Sequence, residues 1–124
     1  MATPADLSAA TLLAMADEDI PAAFSSTLMV LSAPTLQDFP RIVRYVDFDA
    51  RTFDWERALE EGRTWSDGER KLVKVAATLW GSDSATLREA ISLDAANLKR
   101  LLAAIEVHEG WKTLRDALRD TQDE

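Results

Sequence analysis

"SDGERKLVKVAATLWG", residues 66–81, states both ends of a helix and the side it buries. Ser66 stands three residues before Glu69, the spacing at which a hydroxyl and a carboxylate close each other's backbone donors, and Gly81 sits where a left-handed residue ends a last turn. At about 100° per residue, Leu72, Val73, Val75, Ala76, Leu79 and Trp80 share one broad side. Arg70, Lys71, Lys74 and Thr78 share the other. Such a helix needs apolar neighbours, and the segments on both sides of it read as further helices.

Downstream, "SATLREAISLDAANLKRLLAAIE", residues 84–106, reads as a short helix from Ser84 to about Ile91, a tight turn, and a second helix from Asp94 to about His108. Asp94 suits the N-cap of the second. Leu98, Leu101, Leu102 and Ile105 are expected inward, and Gly110 is expected to stop the helix. Ala96, Ala103 and Val107 fall on its other side, where they would meet a last helix or a second subunit. That last helix is expected over 111–120, carried by Trp111, Leu114 and Leu118, ahead of the acidic end "DTQDE", which is expected to fray.

Upstream, "DWERALEEG" is a helix that Thr52 or Asp54 caps and Gly62 closes. Residues 21–31 form another, with Ile20, Ala23, Phe24, Thr27, Leu28 and Leu31 on one side and Pro34 beyond its end. A first helix is expected from Thr3 to about Ala16, with Pro4 at its first position and Asp6 three residues after the cap. The least regular stretch is "TLQDFPRIVRYVDFDARTFD", where Pro40 suits a helix start and "RIVRYVDFD" alternates like a strand. A helix around 36–45 is the preferred reading, with "VDFDARTF" a loop holding at most a short extended piece, because no partner strand is visible elsewhere.

These elements amount to an all-α chain, a single compact domain of about six or seven helices over residues 1–124. A chain of 124 residues buries roughly two-thirds of the surface its unfolded form exposes, so no staple is required. The 47% hydrophobic and 29% charged content is that of an ordinary globular domain. No cysteine is present, which removes disulfides, thiolate chemistry and Cys-based metal sites. The first residues lack a basic region followed by a long apolar one, and no stretch approaches a membrane span, so a cytoplasmic location is expected.

Charge is uneven. Residues 1–62 carry eleven acids and four bases, net −7, whereas residues 63–124 carry eleven acids and ten bases, net −1. The field therefore has a direction that repels phosphate near the first half and attracts a basic partner to it.

Catalytic and metal patterns fail on their own chemistry. His108 is the single histidine, beside Glu109 near a helix end, where it complements the helix dipole; one His without Cys makes neither a triad nor a His-rich metal site. Asp47 and Asp49 match the start of a calcium loop, but Arg51 occupies the next ligand position and no glycine the turn. "GRTWSDGERK" has the residue types of a phosphate loop in the wrong order. No cofactor and no metal are expected, and the chain is read as non-enzymatic.

Residues 66–106 resemble the helix-turn-helix of bacterial winged regulators, with 66–80 in the place of the preceding scaffold helix. That resemblance implies a DNA-contact set of Arg70, Lys71, Lys74, Lys99 and Arg100. It departs from the family in a first helix about one turn short, in the lack of a wing hairpin after residue 110, and in Asp94 at the end that would approach the duplex. A pI near 4.6 also opposes nucleic-acid binding, and Lys99 and Arg100 are read as solvent-facing. The stretch "FDWERALEEGRTWSDGERKLVKVAATLWG" resembles small all-α proteins of high-GC Gram-positive bacteria, which implies no particular activity.

The remaining feature is aromatic. Phe48, Phe53, Trp55 and Trp65 fall within eighteen residues, amid Asp47, Asp49, Asp54, Glu56, Glu60 and Glu61. Aromatic anchors within an acidic rim suit a docking patch for a basic or amphipathic protein. The chain is thus read as an adaptor, inhibitor or immunity-type factor whose contact residues are Asp47, Phe48, Asp49, Phe53, Asp54, Trp55, Glu56, Glu60 and Glu61, with a homodimer as a further option.

Overall fold

A helix that is apolar on every side can only be stable in the middle of a domain. "AAFSSTLMVL" is such a segment, and α1 (Ala22–Leu31) is the centre of the fold: every residue from Phe24 to Leu31 is buried. The computed structural model describes residues 20–33, 36, 42–47, 49–81 and 85–122. The single stripe expected for this helix is therefore widened to its whole circumference. Its hydroxyls make that burial possible by bonding within the helix: Ser26 and Thr27 donate to the Ala23 carbonyl at 3.1 and 2.7 Å, and Ser32 to Met29 at 2.9 Å.

Among the described residues the protein is all-α apart from one two-stranded ribbon. After α1 come a 3-10 turn (Ile42–Tyr45), strands β1 (Val46–Asp47) and β2 (Thr52–Phe53), α2 (Trp55–Glu61), a second 3-10 turn (Gly62–Thr64), α3 (Asp67–Trp80), α4 (Leu87–Ile91), α5 (Ala95–His108) and α6 (Leu114–Gln122). α1 packs chiefly against α5 and α3, α6 lies mainly on α5, and α2 and α4 lie on α3. Phe24, Leu28, Met29, Leu36, Leu72 and Leu118 are its largest fully buried side chains. The helix expected over residues 3–16 and the chain's last two residues lie outside the described residues.

Helix ends follow local chemistry. Ser66 and Glu69 form the expected reciprocal capping box on α3, and Gly81 closes it at φ 123°. α4 has a second box, Thr86 with Glu89, two residues later than the start expected at Ser84. Asp94 caps α5 by accepting from the Asn97 amide at 2.9 Å. At the other end, Gly110 (φ 77°) and Trp111 donate to Val107 and Glu106 at 3.1 and 2.9 Å, a left-handed stop that turns the chain before α6. Trp111 therefore belongs to the turn and is 74% exposed, and Thr113 opens α6 by accepting from Asp116 N.

Two further expectations change. Leu102 is 54% exposed, because α5 turns Ala103, Ala104 and Val107 inward; these smaller side chains let it lie close between α1 and α6. Ala96, by contrast, is exposed. In the irregular stretch, most of 36–41 lies outside the described residues, and Ile42–Tyr45 is helical only as a 3-10 turn. A partner strand does exist, five residues on: Val46 pairs with Phe53 and Asp47 with Thr52, antiparallel. Asp47 Oδ1 accepts from the Asp49 and Ala50 amides at 3.1 and 2.9 Å, and Arg51 takes φ 57° to complete the reversal.

Candidate interaction surfaces

The ribbon determines where the aromatic residues go. Pairing with Val46 places Phe53 against Phe24 of α1 (centroids 5.1 Å apart), Trp80 of α3 (4.9 Å, edge-on) and Trp55 of α2 (4.8 Å, stacked). These separations are those of favourable ring packing, so Phe53 ties three helices together. Trp55 is half-buried, and its buried Nε1 has no hydrogen-bond partner among the described residues. Trp65 is buried near Tyr45, with centroids 6.4 Å apart. Its ring packs closely on Gly62: a Cβ there would stand 3.0 Å from the indole Cε3, so the indole would have to shift to admit one. Gly62 accordingly does not end α2 in a left-handed turn; at φ −74° it leads into the 3-10 turn. The expected aromatic anchors thus serve the core, and Phe48 lies outside the described residues.

The acids around them are largely engaged within the chain. Glu61 accepts the Tyr45 hydroxyl, Arg44 at 3.0 Å and Arg57 at 3.0 Å, while both guanidinium groups lie over the Tyr45 ring. Tyr45's hydroxyl, then Arg57, hold the Glu61 carboxyl below its usual range; burial, then Glu61, push the Tyr45 phenol up. Glu60 pairs with Arg63 at 3.1 Å, Asp54 caps α2 by accepting from Arg57 N, and Asp47 holds the ribbon turn. Asp49 and Glu56 are exposed. The segment 47–61 is an acidic surface whose carboxylates mainly organise their own backbone and cations.

The basic set divides as well. Arg70 and Lys71 pair with Asp67 at 3.4 and 2.8 Å, and Lys71 chiefly holds that carboxyl low. Lys74 crosses to Glu89 at 2.6 Å, joining α3 to α4 and lowering the Glu89 pKa. Lys99 is exposed. Arg100 does not face solvent: its Nε donates to the Met29 carbonyl at 2.6 Å and its Nη2 to Ser32 Oγ. It thereby places a cation on the C-terminal end of α1, where the dipole favours one. Burial pushes its pKa down to about 10. One of the five cations that the helix-turn-helix resemblance requires is thus committed to the core.

Residues that pattern reading passed over form the clearest unpartnered surface. Leu87 and Ile91, one turn apart on α4, are 77% and 61% exposed. A groove of about 410 Å³ beside them runs between α3, α4 and α5, with Val75, Leu79, Leu87, Ala90, Leu101 and Ile105 on its walls. Leu102, on α5, is a further exposed aliphatic side chain at 54%. Leu87, Ala90 and Ile91 have the i, i+3, i+4 spacing of a single helical side, so the sequence marks an apolar stripe on α4 without showing that no other helix covers it.

Comparison with protein-family models, curated proteins and solved structures returned no match. Among the described residues, no three His, Asp or Glu side chains are placed to hold a metal ion, and no helix is long and apolar enough to cross a membrane. His108 makes the local contact expected of it, Nδ1 to Glu109 Oε2 at 3.1 Å.

Proposed function

We propose that the protein is a non-enzymatic binding factor, of adaptor, inhibitor or immunity type, that docks another protein through the apolar face of α4 and α5. The observation that carries this reading is the exposure of Leu87, on the wall of a largely apolar groove, together with that of Ile91 one turn further along α4. Large aliphatic side chains gathered on one surface mark interaction sites more often than lone exposed ones do. The groove suits the apolar side of an amphipathic helix, read through anchors one turn apart. The groove lies in the half of net −1, so the charge of −7 over residues 1–62, where Asp49 and Glu56 are exposed, acts on a partner with a basic side from a distance rather than at the groove itself. A cytoplasmic location belongs to the same reading.

The double substitution Leu87→Glu/Ile91→Glu tests it, because both side chains are mostly exposed and their loss should leave folding intact. Recovery of a co-purifying protein from the native host is expected to fall to background. Retained recovery overturns the assignment, and loss through Asp49→Lys/Glu56→Lys instead moves docking to the acidic segment. If the wild type alone self-associates in sedimentation, and the double variant does not, the face joins two copies of this chain rather than a different protein.

A further inference from the structure

A second cavity lies on a different side of α3. It occupies about 370 Å³ where α2, the 3-10 turn and α3 meet, with Ala58, Leu59, Trp65 and Val73 as apolar lining. Gly62 also lines it, so the indole of Trp65 lies directly against backbone at the base. Three cations complete the lining: Arg63, Arg70 and Lys74. In a chain of net charge −8, this convergence of positive groups on an apolar hollow runs against the overall composition. We propose that the pocket binds a small amphipathic anion, its ring or short apolar body on Trp65 and Leu59 and its carboxylate or sulfonate at Arg63, Arg70 and Lys74.

Size and chemistry agree. A cavity of this volume belongs to the range of small-molecule sites, which combine apolar walls with a few polar groups that fix orientation. Each cation already has one anchor: Glu60 holds Arg63 at 3.1 Å, Asp67 holds Arg70 at 3.4 Å and Glu89 holds Lys74 at 2.6 Å. These contacts keep the side chains at the rim without exhausting them, because a guanidinium has five N–H donors and an ammonium three. A planar carboxylate is the natural partner for the donors that remain on Arg63 and Arg70. Binding here is independent of the protein-docking face, which lies across α3 and shares none of these side chains.

The test uses 1-anilinonaphthalene-8-sulfonate and its uncharged counterpart N-phenyl-1-naphthylamine, which carry the same rings with and without the anion. The sulfonate is expected to bind the intact protein, raise its melting temperature as a ligand of the native state must, and quench Trp fluorescence less in Trp65→Phe than in wild type. Arg63→Gln/Arg70→Gln is expected to weaken the sulfonate about fivefold to tenfold, the effect of two partly exposed charges, with the neutral compound unchanged. The side chains of Arg63 and Arg70 are 74% and 45% exposed, so this variant retains the fold. Equal affinity for the two compounds, indifference to the double substitution, or absence of native-state stabilisation overturns the proposal. So does loss of binding in Leu87→Glu/Ile91→Glu alone, which would assign the probe to the α4–α5 groove.

Discussion

The stretch from Tyr45 to Trp65 and the stretch from Ser66 to Gly110 are organised by different kinds of contact. In the second, each helix boundary is written within a few residues: Ser66 with Glu69, Thr86 with Glu89, Asp94 with Asn97, Gly110 after His108. In the first, the decisive contacts reach across the chain, from Phe53 to Phe24 and Trp80 and from Tyr45 to Glu61. The first region therefore takes its shape from a few large non-local contacts, whereas in the second, although its helices pack on α1, the helix ends are set by small local ones. Substitutions should separate them by magnitude.

The largest effect is expected at Phe53. Phe53→Ala removes a ring that touches three others and opens a void between α1, α2 and α3, which costs about 3 kcal/mol for a partly buried aromatic. Thermal unfolding should move down by about 10 °C for a chain of this size. A drop below about 3 °C would mean that Phe53 is peripheral, and would put the aromatic residues back on the list of surface anchors.

That contrast also explains what was legible from residue pattern. The all-α class, the boundaries of α3 and α5 and the caps Ser66, Asp94 and Gly110 could be read because backbone donors and acceptors are satisfied by nearest neighbours. The ribbon could not, since two residues per strand leave no periodicity to detect and Asp47, Asp49 and Arg51 announce only a turn. Likewise Phe53 and Trp55 have the composition of an interface anchor, and only the approach of Phe53 to Phe24 and Trp80, with Trp55 stacked on Phe53, shows that the core claims them. The exposure of Leu87, Ile91 and Leu102 was not legible because helical periodicity identifies an apolar side without showing whether another helix arrives to cover it.

Arg100 is an exception within the local half. Its guanidinium reaches Met29 and Ser32, 71 and 68 residues away in the chain, and nothing in "NLKRLL" distinguishes it from Lys99. Arg100→Ala is expected to cost about 2 kcal/mol by removing charge-assisted hydrogen bonds from the end of α1 together with the packing of the stem. Arg100→Met should recover about half of that, because it restores the apolar stem and abolishes the cost of burying a charge. Denaturant midpoints of the two variants measure the split. An Ala variant as stable as wild type would return Arg100 to the surface set and strengthen the helix-turn-helix likeness.

The smallest effect is expected where the chain is most legible. Ser66→Ala deletes the acceptor for the Glu69 amide, at 3.4 Å a long bond, while Glu69 keeps its own acceptance of the Ser66 N–H at 3.0 Å. The reciprocal box is halved rather than abolished, so the loss should be about 1 kcal/mol or slightly less, visible as a small shift of the denaturant midpoint with no change in its slope. Ser66→Asp restores an acceptor and adds a negative charge at the positive end of the α3 dipole, and is expected to equal wild type. If Ser66→Ala instead cost as much as Phe53→Ala, the start of α3 would also be a tertiary contact, and the division between a locally written half and a non-locally held one would fail.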